Sequence, residues 1–119
     1  MQPGTMLNQG ELVLVPVPFT DLSSQKRRPV ILISNTNYNR VSKDVIVIAV
    51  TSNLTVFPHS LPLVSADLSN GTLNRPSMIR ADKIYSLEKT LIVKSFGTVK
   101  PEILDLIYSE IQAILAKSQ

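Results

Sequence analysis

Two rhythms run along this chain: continuous apolar runs of strand length separated by small polar connections, and then a 3.6-residue repeat at the end. The first run, ELVLVPVPF (11–19), is rich in Val and Leu. Pro16 and Pro18 cannot donate to a ladder, so its end is expected at a sheet edge or bending away. TDLSSQK (20–26) is small and polar and reads as a loop. PVILIS (29–34) and DVIVIAVTS (44–52) lack alternation, which predicts strands buried on both faces. The Asn-rich NTNYNR (35–40) between them is turn material. HSLPLVS (59–65) is a weaker, alternating strand that Pro62 assigns to an edge. ADLSNGTLNRP (66–76) carries Asn-Gly, a strong turn dipeptide. SMIRADKIYS (77–86) predicts a strand entering a turn at SLEK, and LIVKSFGTV (91–99) a last strand.

From Pro101 onward the rhythm is helical. Proline suits the first helical position, and Glu102 complements the positive end of the helix dipole. Ile103, Ile107, Ile111 and Ile114, with Leu104 and Leu115 beside them, form one apolar stripe for packing on a sheet. Short antiparallel strands followed by a helix predict a mainly β fold: a small, strongly bent sheet or barrel with a helical cover. At 119 residues the chain is expected to be one domain, with residues 1–9 a flexible N-terminal extension.

Composition narrows the chemistry. Cysteine is absent, which excludes thiol nucleophiles and cysteine metal sites, and a single histidine, His59, argues against His-rich zinc sites. Asp44, Asp67 and Asp82 are isolated from one another in sequence and are expected to cap or turn rather than to hold Mg²⁺. No cofactor or metal is expected. The N-terminus has no signal-peptide pattern and no apolar stretch approaches membrane-spanning length, so a cytoplasmic protein is expected, with no membrane contact. Net charge is a mild +3, but the residues after Pro101 are acidic. The cations therefore gather in 26–43 and 75–100, a distribution suited to a polyanion.

The densest cluster is Lys26-Arg27-Arg28, immediately before Pro29. Proline biases Arg28 towards an extended backbone at the root of a buried strand, where its planar fork of donors can be held. On spacing alone a solubilising loop is the favoured reading of such a run. A second feature is Thr51-Ser52, hydroxyls at the exit of the next apolar strand. If these consecutive strands pair antiparallel, Arg28 and Thr51 fall at the same end, and a cation and a hydroxyl converge. His59 is expected to be a surface or hydrogen-bonded histidine rather than a catalytic acid.

Taken in order, GELVLVPVPFTD (10–21), KRRPVILIS (26–34), VIVIAVTS (45–52), SMIRADKIYSL (77–87) and FGTV (96–99), closed by a helix, resemble the MazF/PemK family of toxin endoribonucleases over residues 10 to 116. The resemblance implies an SH3-like small barrel of the CcdB/PemK type. It further implies a type II toxin: a homodimer that cleaves single-stranded mRNA sequence-selectively without metal, neutralised by a cognate antitoxin, here expected to have an acidic tail. By position the catalytic pair is Arg28 and Thr51. Lys26, Arg27, Ser52, Arg80 and Lys83 are the expected RNA-binding residues. Because arginine stays protonated throughout the neutral range, Arg28 suits phosphate binding and charge stabilisation better than proton abstraction. The attacking group would then be the RNA's own 2′-hydroxyl. The chain departs from better-known members at Lys83-Ile84-Tyr85, where they carry Gln-Ile-Arg, and at Leu91-Ile92, where they carry Arg-Leu. Two other readings stay open: a non-catalytic CcdB-like inhibitor of a protein target, and a degenerate member that binds RNA or an acidic peptide without cutting it.

Overall fold

In a β-strand, neighbouring residues point to opposite faces, so an unbroken apolar run must find cover on both sides at once. The computed structural model, which describes residues 7–17 and 26–119, shows how this chain does so. Among the described residues seven strands form one sheet: β1 (Glu11–Pro16), β2 (Arg27–Leu32), β3 (Asp44–Thr51), β4 (Ser60–Leu63), β5 (Leu68–Gly71), β6 (Ser77–Glu88) and β7 (Lys94–Val99). Their order is β4-β6-β3-β2-β1-β7-β5, every neighbouring pair is antiparallel, and the sheet curls into a half-barrel. The mainly β fold with a closing helix is as expected.

Val13, Val15, Val30, Leu32, Val45 and Val47 lie in one core cluster, closed by Leu7, Leu87 and Ile92. The alternate residues Leu12, Ile31, Ile48 and Val50 belong to a second cluster, with Leu63, Ile79 and Ile107. The second cluster is covered by α2 (Pro101–Leu115), whose Ile103, Leu104, Ile107 and Ile111 pack inward as the stripe predicts. Leu115, at the end of that stripe, is 71% exposed. Each side chain fully buried in this way contributes about 1.5–3 kcal/mol relative to remaining in water.

Several local expectations are corrected. Residues 35–40 are not a turn but lead into a short helix, α1 (Thr36–Val41). Asn35 caps it, its Oδ1 accepting the Tyr38 N–H at 2.7 Å, which is the other habit of asparagine. Asn39 is buried and its amide donates to the carbonyls of Leu7 (2.9 Å) and Ser34 (3.0 Å). Residues 7–9, assigned above to a flexible extension, are thereby docked: Leu7 is buried, and the Gln9 amide donates to the Ile33 carbonyl at 2.7 Å. Asn70-Gly71 is not a hairpin turn either, because both residues lie in β5 against β7. Gly71 has φ +86, and a Cβ there would stand 2.3 Å from the Phe96 carbonyl oxygen, so glycine serves a close backbone approach. The turn expected at SLEK is displaced: β6 stays paired to β3 as far as Glu88, opposite Asp44, and a 3₁₀ turn follows at Lys89–Leu91. Pairing with a central strand overrides local preference there.

Other expectations agree. β4 is an edge strand containing Pro62. β7 leaves β1 at Leu14, so Pro16 faces no ladder on that side. Most of the loop assigned to 20–26, and the end of the first strand at 18–19, lie outside the described residues. Among the described residues no helix is long and apolar enough to cross a membrane.

The two ends of the α2 stripe should differ sharply in worth. Ile107→Ala, at a fully buried site, is expected to cost about 2–5 kcal/mol. Leu115→Ala is expected to stay within about 0.5 kcal/mol. Urea unfolding of both variants measures the contrast.

Candidate functional site

β2 and β3 pair with Val30 opposite Ala49, Ile31 opposite Ile48 and Leu32 opposite Val47. Carried two residues further, that register aligns Arg28 with Thr51. Arg28 also faces Val15 across β1, and Thr51 faces Met78 across β6. Directly opposed residues share a face of the sheet, so Val15, Arg28, Thr51 and Met78 form one row across four strands. The row continues the face of Val30, Leu32 and Val47 beyond its apolar part. The antiparallel pairing expected from sequence is present, and it places Arg28 and Thr51 at the same end of β2 and β3.

The two polar members of the row are in different states. Arg28 is exposed, and its guanidinium makes no hydrogen bond or ion pair with a described residue. Thr51 is half-buried, and its Oγ1 accepts the Asn53 N–H at 3.1 Å. That bond occupies an acceptor site and leaves the hydroxyl proton to be donated outward. Ser52 lies one residue beyond, exposed in the bend that follows. Arg27 faces Pro16 and so alternates to the opposite side from Arg28, whereas Lys26 precedes the strand and is exposed.

The connection from Thr51 to β4 is held by its own side chains. Asn53 Oδ1 accepts from the N–H (3.0 Å) and the hydroxyl (2.8 Å) of Thr55. Ser60 Oγ accepts the Phe57 N–H at 3.1 Å and donates to the Phe57 carbonyl at 2.6 Å. His59 has φ +64, its carbonyl accepts the Ala81 N–H at 3.2 Å, and its Nδ1 is hydrogen-bonded to Glu110 Oε2 on α2 at 2.8 Å. The histidine is therefore a tether between connection and helix, in keeping with a hydrogen-bonded rather than catalytic role.

β6 carries a bulge beside this connection. Its register on β3 jumps from Ile84 opposite Ile48 to Arg80 opposite Ala49, which leaves Ala81, Asp82 and Lys83 without partners on β3. Bulges of this kind re-aim side chains and gather at functional sites. Here Asp82 turns back on Arg80: Nε donates to Oδ1 at 2.9 Å and Nη2 to Oδ2 at 2.8 Å. The Arg80 guanidinium also stacks on Phe57, 4.0 Å from the ring centroid, and its side chain is 17% exposed. Lys83, at the crest of the bulge, is exposed and makes no hydrogen bond with a described residue.

Arg80 thus joins Arg28 and Thr51 on one face, but as a cation already paired, whereas Arg28 has no partner among the described residues. Sequence reasoning missed Asn53, Phe57 and the pairing role of Asp82. The i, i+2 spacing of Arg80 and Asp82 on a strand was the available signal. Asp67, as expected, accepts a backbone N–H, that of Val64 at 2.9 Å. Among the described residues no group of three or more His, Asp or Glu is placed to hold a metal ion.

Residues 8–115 match the family model for the PemK-like, MazF-like toxin of type II toxin-antitoxin systems. Among solved structures, an endoribonuclease from a mycobacterial species superposes with TM-score 0.74 at 20% identity, covering 99% of each chain. A mycobacterial endoribonuclease in complex with its cognate antitoxin gives 0.73 at 21% identity, over 95% of this chain and 98% of that one. A MazE-MazF structure from Deinococcus radiodurans gives 0.73 at 20% identity, over 96% and 99%. These likenesses support the fold. A comparison with curated proteins found no match.

The hydrogen bonds from Arg80 hold the Asp82 carboxyl below its ordinary 3.8, against the opposing effect of burial. A lowered folded value means that the pair's contribution to stability is present above about pH 3.8 and is lost as pH falls through the lower value. In carbon-detected NMR, Asp82 is expected to titrate below 3.8, and Arg80→Ala to bring it back towards that value.

Proposed function

Because the chain belongs to the PemK-like, MazF-like toxin family of type II toxin-antitoxin systems, we propose that it is a sequence-selective endoribonuclease that cleaves single-stranded mRNA in the cytoplasm. The observation that carries this reading is the row in which Arg28, without a partner among the described residues, and a Thr51 hydroxyl share one face of the sheet.

Arg28 binds the scissile phosphate with its planar fork and stabilises the charge that builds on the phosphoryl oxygens. Thr51, with its oxygen fixed by the Asn53 N–H, donates to the same group. The 2′-oxygen of the RNA forms a bond to phosphorus, the P–O5′ bond breaks, and the proton lost by the 2′-hydroxyl is balanced by one gained on the leaving 5′-oxygen. The products are a 2′,3′-cyclic phosphate and a 5′-hydroxyl. Charge stabilisation by Arg28 and an internal nucleophile make up the chemistry, so no metal ion takes part. Lys26 and Arg27 guide the strand towards the row, with Ser52 and Lys83 contacting RNA at its margins.

The active form is a homodimer, and its natural inhibitor is an antitoxin whose acidic tail lies over the same cations and competes with RNA. The mycobacterial structure solved with its cognate antitoxin supports that pairing for this chain.

Long unstructured RNA incubated with the protein in EDTA is expected to show discrete cuts with 5′-hydroxyl ends. Arg28→Ala is expected to slow cleavage about 10²–10³-fold. Arg28→Lys keeps the charge but loses the fork and should recover part of that loss. RNA affinity of the wild type should fall with salt, with a log–log slope of about −0.7 for each phosphate neutralised. Intact RNA from a folded, RNA-binding wild-type protein refutes the enzymatic reading.

A further inference from the structure

Arg80 is a cation of this face held by a carboxylate and an aromatic ring, and those neighbours dictate what its remaining donors can meet. Asp82 takes one hydrogen from Nε and one from Nη2, along the side of the guanidinium. Of the three N–H groups that remain, one on Nη1 and one on Nη2 form the end of the fork, parallel and in plane. Phe57 covers one face of that plane at 4.0 Å and fixes its tilt. The support is itself anchored, since the Ala81 N–H binds the His59 carbonyl and His59 binds Glu110 on α2.

Position follows from the register. Thr51 is opposite Met78, so Arg80, two residues along β6, is a diagonal neighbour of Thr51 on the same face. Such neighbours lie about 7–8 Å apart, close to the span of one nucleotide.

From this geometry we infer that Arg80, braced by Asp82 and stacked on Phe57, reads a guanine base of the RNA in a nucleotide adjoining the scissile phosphate. The inference rests on the endoribonuclease reading above and adds the chemistry of its target. Two parallel donors match two adjacent acceptors, and guanine offers O6 and N7 side by side. Adenine sets a donor beside N7 and uracil has O4 without a neighbouring N7, so each mismatches one arm of the fork. The N3 and O2 of an unpaired cytosine form the one other adjacent acceptor pair, and guanine, whose O6 and N7 are the commonest specific partner of such a fork, is the base assigned here. Charge separates this group from Arg28. The Arg80–Asp82 pair is neutral as a unit, so it has little Coulomb attraction for a phosphate yet keeps its directional donors. Arg28, without a counter-ion among the described residues, suits the phosphate.

The test uses the full-length protein, a long RNA for mapping, and short RNAs that carry guanosine, inosine or 7-deazaguanosine at the mapped position. Cut sites are expected to share a guanine at one fixed position. Replacing it by 7-deazaguanosine, which lacks N7, should slow cleavage about 10–100-fold, whereas inosine, which keeps O6 and N7, should be cut like guanosine. Asp82→Asn, close to isosteric, and Arg80→Lys should both relax the choice of base, and the double variant Arg80→Gln/Asp82→Asn, which removes the pair without changing net charge, should leave the salt slope of RNA binding unchanged, with circular dichroism confirming the fold. Cuts without a common guanine, or unchanged cleavage of the 7-deaza RNA, overturn the inference and leave the endoribonuclease reading standing. A shallower salt slope in Arg80→Gln/Asp82→Asn also overturns it, making Arg80 a phosphate contact. A wild type that binds the guanosine and 7-deazaguanosine RNAs unequally but cuts neither upholds guanine reading while refuting cleavage. Equal binding without cleavage refutes both.

Discussion

β2 and β3 are apolar on both faces, and a slip of one residue between them would exchange Val30 and Leu32 with Ile31, sending each to the wrong core. Two cores therefore police one register, and the penalty for error is several buried side chains at once. The same register decides where Arg28 lies relative to Thr51. Alignment of this proposed catalytic pair needs no dedicated device: it is inherited from hydrophobic pairing a few residues away. Pro29 adds to this by holding Arg28 extended as the strand begins.

The functional face sorts its cations by what they already hold. Arg28 stands without a partner among the described residues, while Arg80 is held by a carboxylate and an aromatic ring. An unpaired guanidinium on the surface costs little, because water solvates it, and it keeps its full attraction for an anion. A paired one exchanges that reach for direction. The two arginines lie on one face and are suited to different parts of one nucleotide chain.

Much of this was legible in the chain. The apolar runs located β2 and β3, Pro62 marked an edge, Pro101 opened α2, and the Arg-Pro entry and Thr-Ser exit pointed to the row. What was misjudged depends on partners distant in sequence. Asn35 and Asn39 could have made a turn, and it is the need to cap a helix and satisfy the Leu7 carbonyl that settles them as helical. Gly71 has turn chemistry, yet its freedom is used to let β5 approach Phe96. The β6 bulge carried no local mark, because Ala81, Asp82 and Lys83 look like strand residues until β3 turns out to be too short to match them.

That bulge has an evolutionary reading. Asp44–Ile48 pair with Ile84–Glu88 on one side of it, and Ala49–Thr51 pair with Met78–Arg80 on the other. Asp82 and Lys83, between them, are answerable to neither ladder, so they can be exchanged without moving the row that holds Thr51, whereas Ala81 is buried and bonded to the His59 carbonyl. A toxin built this way can change the sequence it attacks by drift in one short segment while its cutting chemistry stays fixed. Diversity of targets among such proteins then requires no new fold, only a strand that is longer than its partner.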